Sequence, residues 1–227
     1  PLDGPAWTLF FEYIVNLFYA LGIRKFSTKA LSVLVFFAAG FLIHLAVTSP
    51  GGYVVGGWSL EPIQLHVGFA RVLYPFFAGL LLFRIAKLTH IKNAFMWCSL
   101  LIIAILAMPR IGGSGHLWMN GLYESLSIIL IFPLIVYMGA SGKVEGKNAT
   151  RICKFFGDIS YPVYITHYPI IYIYTGWVFD KKMSLQNAWP VALLVFVSCI
   201  TLAYTCLKLY DEPIRRWLNK KILLKKM

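Results

Sequence analysis

The sequence predicts an all-α, polytopic transmembrane helix bundle. Three observations carry that reading: long apolar segments, a shortage of charge, and basic residues gathered in alternate loops. Hydrophobic residues make up 59% of the 227 and charged residues only 13%, with a mean hydropathy of +0.71. A soluble domain carries about 25% charged residues, so a globule of this size would lack the polar surface it needs. Transmembrane strands would show as alternating segments of about ten residues, and the sequence shows none.

The hydrocarbon core takes about 20 apolar residues per helix at roughly 1.5 Å each. Seven spans are predicted, at Trp7–Leu21, Ala30–Val47, Val67–Ile85, Ala94–Met108, Gly121–Ala140, Ile159–Phe179 and Trp189–Leu209. The first and fourth are short for a full crossing. Arg24, Lys25 and Lys29 follow the first span, and Arg84, Lys87 and Lys92 the third. Lys143, Lys147, Arg151 and Lys154 follow the fifth, and Arg215, Arg216, Lys220, Lys221, Lys225 and Lys226 the seventh. The alternate loops hold only Arg110, Lys181 and Lys182. The positive-inside rule then puts the heavy loops and the C-terminus in the cytoplasm and Pro1 outside. A net charge of +12 distributed this way implies no nucleic-acid site. Residues 211–227 read as a basic cytoplasmic tail. Its charge serves topology on one reading and contacts anionic membrane lipid on the other.

The start at Pro1 has neither an initiator methionine nor a signal peptide, and Pro1–Ala6 reads as an extracytoplasmic loop. A fragment is therefore expected, with an odd number of further spans upstream. Cys98, Cys199 and Cys206 lie in spans and Cys153 in a cytoplasmic loop, without zinc-site spacing. Free thiols, no metal and no bound cofactor are expected. No repeat or long linker divides the chain, so residues 1–227 read as one membrane domain.

Chemistry is sought among the intramembrane polar residues, because an ionised group at a helix centre costs about 2.5–3.5 kcal/mol on insertion scales. At about 100° per residue, Thr8, Glu12, Asn16 and Tyr19 form a polar stripe on one helix face. Glu12 is either a helix-packing carboxylate or one that positions a substrate hydroxyl or a catalytic histidine. Ser160, Tyr164, His167 and Tyr174 likewise share a face. His167 reads as a satisfied neutral imidazole or as a gate or general base lining a cavity. Pro162 and Pro169 would free backbone carbonyls toward that cavity. Arg71, about a turn inside its span, either snorkels to the outer head groups or pairs with Glu12 or an anionic substrate group. Glu124, at the start of the fifth span, reads as a helix-dipole partner.

These residues fall into a family pattern. Trp7-Thr8-Leu9-Phe10-Phe11-Glu12 resembles the tryptophan–serine/threonine–leucine–x–x–glutamate signature of the acyltransferase-3 family of integral-membrane O-acyltransferases. The stretch from Phe156 through Ser160, Tyr161, Tyr164 and His167 to Pro169 is similar to that family's late glycine–x–x–serine–tyrosine–x–x–tyrosine–x–x–histidine–x–proline element. Arg71 to Gly79 resembles its arginine–phenylalanine–glycine segment, and Tyr210-Asp211-Glu212-Pro213 its glutamate–proline ending before a basic tail. The four elements occur in the family's order from Trp7 to Trp217.

The resemblance implies a bundle of about ten spans, of which about seven are here. It implies transfer of an acyl group, typically acetyl from acyl-CoA as donor substrate, to a hydroxyl of a cell-surface carbohydrate or similar acceptor. The family's main catalytic histidine is expected upstream of Pro1, on helices missing from this chain. Glu12 would orient that histidine or the acceptor, with His167 as a second catalytic residue. Trp7, Asn16, Arg71, Ser160, Tyr161 and Tyr164 would contact substrate. A bacterial cytoplasmic membrane is the location the resemblance implies. The rival class is a polytopic transporter or flippase, which would also place Glu12, Arg71 and His167 on interior faces.

Overall fold

The structure is a computed structural model that describes residues 4–113 and 115–223. Helix takes up 80% of the chain, and no strand occurs among the described residues, as the sequence predicts. Seven helices follow one another: α1 (Gly4–Leu21), α2 (Thr28–Thr48), α3 (Pro62–Ile85), α4 (Ala94–Leu106), α5 (Trp118–Ser141), α6 (Lys147–Asp180) and α7 (Leu185–Lys221). Pro1, Lys225 and Lys226, on which sequence expectations were placed, lie outside the described residues.

Four of the helices, α2, α3, α5 and α7, are long and apolar enough to cross a membrane, with mean hydropathies of 2.4, 1.6, 1.8 and 2.1. The chain is an integral membrane protein. The other three helices depart from that pattern for different reasons. α4 has 13 residues and spans only about 20 Å. α1 has the length of a crossing, but Glu12 and Asn16 dilute its apolar face, and the His, Tyr and Pro residues of α6 do the same there.

The helix ends follow local chemistry. Ser27 caps α2, its hydroxyl accepting from the Ala30 N–H at 3.2 Å. α3 begins at Pro62, earlier than the expected Val67, because proline's fixed φ and missing N–H suit the first helical position. α4 stops at Leu106 rather than Met108, since Pro109 disfavours helical backbone in the residue before it. α6 starts about three turns before the expected Ile159: its polar opening, Lys147 to Lys154, is helical although apolar patterning cannot reveal it. α7 likewise carries straight through the expected tail boundary at residue 211, with Glu212 paired to Lys208 and Arg216.

Two helices absorb an internal proline by widening. A π-helical segment, Ser127–Ile131, precedes Pro133 in α5, and another, Leu207–Asp211, precedes Pro213 in α7. Proline cannot give the N–H that the carbonyl four residues earlier expects. In α5 that carbonyl belongs to Ile129, and the Tyr74 hydroxyl of α3 donates to it at 2.7 Å. A side chain from a neighbouring helix thus supplies the bond the proline lacks.

Contacts divide the chain into two compact units, residues 7–144 and residues 145–227 with 1–6. The larger unit is organised on one stripe of α2, Leu31, Ala38, Leu42 and Ala46, which packs with Val54, Tyr74 and Phe77. Small residues let backbones close up: a Cβ at Gly121 of α5 would lie 2.0 Å from the Ala46 carbonyl oxygen of α2. Phe11 of α1 is 2% exposed and sits over Gly68 of α3, where a Cβ would meet its ring. Arg84 closes the far end, donating to the Phe26 carbonyl at 2.6 Å and the Arg24 carbonyl at 3.3 Å.

In the smaller unit α6 packs along α7. Ile159 and Pro162 of α6 and Ala188, Cys199 and Ala203 of α7 are buried, and the Tyr174 hydroxyl donates to the Ala188 carbonyl at 3.0 Å. Large side chains elsewhere face outward, Phe83 at 87% and Phe36 at 75% exposure. A water-soluble surface does not tolerate such a continuous apolar display, and a lipid-facing one requires it.

Candidate functional site

The helical stripe read from the sequence opens onto a cavity of about 440 Å³ in the larger unit. Thr8, Glu12 and Asn16 line it from α1, Arg71, Val72, Pro75 and Phe76 from α3, and Gly56 and Gly57 from the loop between α2 and α3. The structure therefore brings together three residues of the stripe with Arg71. Tyr19 instead packs edge-on against Phe76, with ring centres 6.3 Å apart. Trp7 makes a similar contact with Phe10 at 5.8 Å and is not among the lining residues. The Asn16 amide donates to the Glu12 backbone carbonyl at 2.9 Å. The Glu12 carboxylate has no hydrogen-bond or ion-pair partner among the described residues and faces the opening.

Arg71 lies deeper than the sequence suggested. Because α3 starts at Pro62, it sits about 14 Å along the helix rather than one turn in. Its guanidinium is half-buried and donates from Nη1 to the Gly56 carbonyl at 2.5 Å. Among the described residues no ion pair joins it to Glu12, so both charges are presented to the same cavity. A guanidinium keeps its charge in any protein environment, which makes this wall permanently attractive to anions.

Arg71 and Pro75 also border a second cavity of about 370 Å³, which runs between α3 and α5 past Ala78, Gly79 and Leu82. Glu124 lies on its opposite wall. The structure corrects the helix-dipole reading of Glu124. α5 begins at Trp118, so Glu124 is nearly two turns into the helix. Its Oε2 accepts from the Val54 N–H at 3.0 Å, across seventy positions of sequence. A third cavity of about 400 Å³ shares Glu124 and is lined by Tyr53, Arg110, Asn120 and Tyr123.

The loop between α2 and α3 holds the features that the sequence reading missed. Gly56 and Gly57 have φ of +138° and +85°, conformations that only glycine adopts readily. A Cβ on Gly57 would come within 2.8 Å of the Gly68 Cα. Gln64 of α3 accepts from the Gly57 N–H at 2.7 Å and the Trp58 N–H at 3.2 Å. The paired glycines just before a proline-started helix were the available signal, but nothing local indicated Gln64 as the partner of Gly57 or Glu124 as the partner of Val54.

The remaining predicted residues belong to the smaller unit. His167 is half-buried, with Nδ1 2.9 Å from the Val163 carbonyl. A carbonyl can only accept, so Nδ1 is the donor in this bond. Tyr164 lies beside it, with ring centres 6.3 Å apart. Ser160 and Tyr161 are exposed within this unit, and the Ser160 hydroxyl donates to the Gly157 carbonyl at 2.8 Å. Thr166 donates to the Pro162 carbonyl at 2.8 Å. Among the described residues no group of His, Cys, Asp or Glu could hold a metal ion.

Comparison with known proteins gives one match. A family model described as an acyltransferase domain matches residues 1–208, a stretch that runs through both compact units. No curated protein and no solved structure matches the chain significantly.

Proposed function

The chain belongs to the acyltransferase-3 family of membrane acyltransferases, and from that premise we propose that it moves an acyl group, acetyl being the expected one, from acyl-CoA to a hydroxyl of a cell-surface carbohydrate or similar acceptor. The observation that carries the reading is the shared cavity. A carboxylate from α1 and a guanidinium from α3 converge on one space, with Thr8 and Asn16 beside them. No observation favours the transporter alternative.

Acyl transfer needs three services, and the residues fit two of them. A base takes the proton of the acceptor hydroxyl, and its oxygen attacks the thioester carbonyl. The carbon–sulfur bond then breaks, and the coenzyme A thiolate leaves and is protonated. Glu12 orients either the acceptor hydroxyl or the base. Arg71 stabilises the negative charge that grows on the carbonyl oxygen, a contribution that is usually the largest single one when the donor is held in place beforehand. The Gly56 carbonyl holds Arg71 in that way. The base itself is proposed to be a histidine upstream of Pro1, with His167 as a second candidate catalytic residue. Ser160, Tyr161 and Tyr164 are proposed to guide the acceptor, and Trp7 and Asn16 to contact substrate.

The distribution of basic loops supports a cytoplasmic C-terminus, and a bacterial cytoplasmic membrane is the proposed location. The test is transfer of labelled acyl groups from acyl-CoA by membranes carrying the whole gene product. Arg71→Ala should lower the rate by about 10²- to 10³-fold, the range seen when one charge-stabilising donor is removed, and Glu12→Gln should lower it as well. Unchanged transfer in Glu12→Gln sinks its orienting role.

A further inference from the structure

Arg71 does not hold itself in the cavity; the peptide it grips is held from its other edge. Its Nη1 donates to the Gly56 carbonyl, while the N–H of Gly57 donates to Gln64 Oε1 at 2.7 Å. These two groups belong to one peptide unit, and the chain has no cis peptide among its described residues. A trans peptide is planar, with its carbonyl and N–H pointing in opposite directions. Arg71 and Gln64, both on α3, therefore clasp a single rigid plate from opposite edges.

Three further facts show that the plate is built for this. Gly56 and Gly57 have the positive φ values that turn it edge-on, and both are buried. The Gly68 Cα lies so close to Gly57 that no side chain fits between. Two residues upstream, the Val54 N–H is pinned by Glu124 at 3.0 Å, and one residue downstream the Trp58 N–H also reaches Gln64 at 3.2 Å. The loop is thus tied on both sides of the Gly56 carbonyl, by α5 before it and by α3 after it. Accepting two N–H bonds, Gln64 Oε1 polarises the plate so that its negative carbonyl end faces the guanidinium.

We propose that Gln64 is a positioning residue for Arg71: it fixes the Gly56–Gly57 peptide whose carbonyl aims the guanidinium into the Glu12 cavity, with Glu124 as the second tie on the same loop. The catalytic consequence rests on the acyl-transfer reading above; the geometric claim does not. Gln64 touches no substrate in this scheme. Its loss should blur the aim of Arg71 without removing any group from the cavity.

The experiment compares Gln64→Asn, Gln64→Leu and Gln64→Glu in the whole gene product in membranes. Asparagine is one methylene too short to reach the loop amides and leucine cannot accept, whereas glutamate keeps an acceptor at the right reach. In Gln64→Asn and Gln64→Leu, kcat should fall about tenfold, the worth of about one net hydrogen bond. KM should stay within about twofold, because an interaction made chiefly in the transition state is lost. Gln64→Glu should restore most of the rate. In parallel, modification of Arg71 by phenylglyoxal, followed by mass spectrometry, should be several-fold faster in Gln64→Asn and Gln64→Leu than in wild type or Gln64→Glu. Unchanged labelling in the Asn and Leu variants overturns the clamp, whatever the activity. Faster labelling with unchanged kcat, beside an inactive Arg71→Ala, overturns the positioning role. An active Arg71→Ala instead overturns the catalytic assignment of Arg71, and the labelling arm still decides the clamp.

Discussion

Tyr74→Phe should destabilise the protein through a bond that its own helix does not need. Tyr74 is 5% exposed, and its hydroxyl donates to the Ile129 carbonyl at 2.7 Å. In an ordinary helix the N–H four residues later would hold that carbonyl, but here the residue is Pro133. Interhelical hydrogen bonds in membranes average about 0.6 kcal/mol and reach about 1.7, because the disrupted state finds other partners. Ile129 lacks the nearest such partner, so the loss should fall at about 1–1.7 kcal/mol, the upper part of that range. That corresponds to about a 5- to 20-fold change in the folding equilibrium. Pro133→Ala returns an N–H to the helix and should reduce the cost of Tyr74→Phe to a few tenths of that. Comparing the substitution in both backgrounds cancels the separate effect of Pro133→Ala. Reversible unfolding in mixed micelles, followed by circular dichroism, measures each step. An equal cost in the two backgrounds would refute the idea that the hydroxyl stands in for the missing N–H.

Two other substitutions test close backbone approach. Gly121→Ala would put a Cβ 2.0 Å from the Ala46 carbonyl oxygen, so α2 and α5 must separate; a loss of about 1–3 kcal/mol is expected in the same unfolding assay, toward the upper end because the obstacle is backbone. Gly57→Ala meets both a φ of +85° and the Gly68 Cα at 2.8 Å. It should lower acyl transfer at least as much as Gln64→Asn, whereas Gly79→Ala, which adds a Cβ into open space, should leave activity and stability near wild type.

Much of this architecture is written in local sequence. A helix stands at each of the seven expected spans, four of them long and apolar enough to cross a membrane, and the 100° rule puts Thr8, Glu12 and Asn16 on one wall of one cavity. What escaped the reading depends on bonds between distant residues or on polar helix. Patterning puts Arg71 near the start of its span because apolar onset falls at Val67, while Pro62 at the first helical position begins the helix earlier. Glu124 looked like a dipole partner because its actual partner, the Val54 amide, is far away in sequence. The π-helical segments before Pro133 and Pro213 leave no compositional trace beyond the prolines themselves.

Two of the helices that carry the chemistry, α1 and α6, are poorly suited to lipid on their own. α2 has a mean hydropathy of 2.4, lines the Glu12 cavity with no residue, and supplies the packing stripe of its unit. α1 and α6 fall outside the group of clearly apolar spans, and they carry Glu12 with Asn16, and His167 with its serine and tyrosines. A charged side chain at the centre of a span costs about 2.5–3.5 kcal/mol on insertion. Such a helix is kept in place by its neighbours rather than by its own partition. α1 shows how: Phe11 and Val15 are buried, Phe11 over Gly68 and 5.2 Å from the Phe69 ring, while Glu12 turns to the cavity. One helix thus anchors itself through one face and offers its polar stripe through another. Enlarging Gly68 should therefore weaken α1 docking and acyl transfer together, although Gly68 contributes no functional group to the reaction.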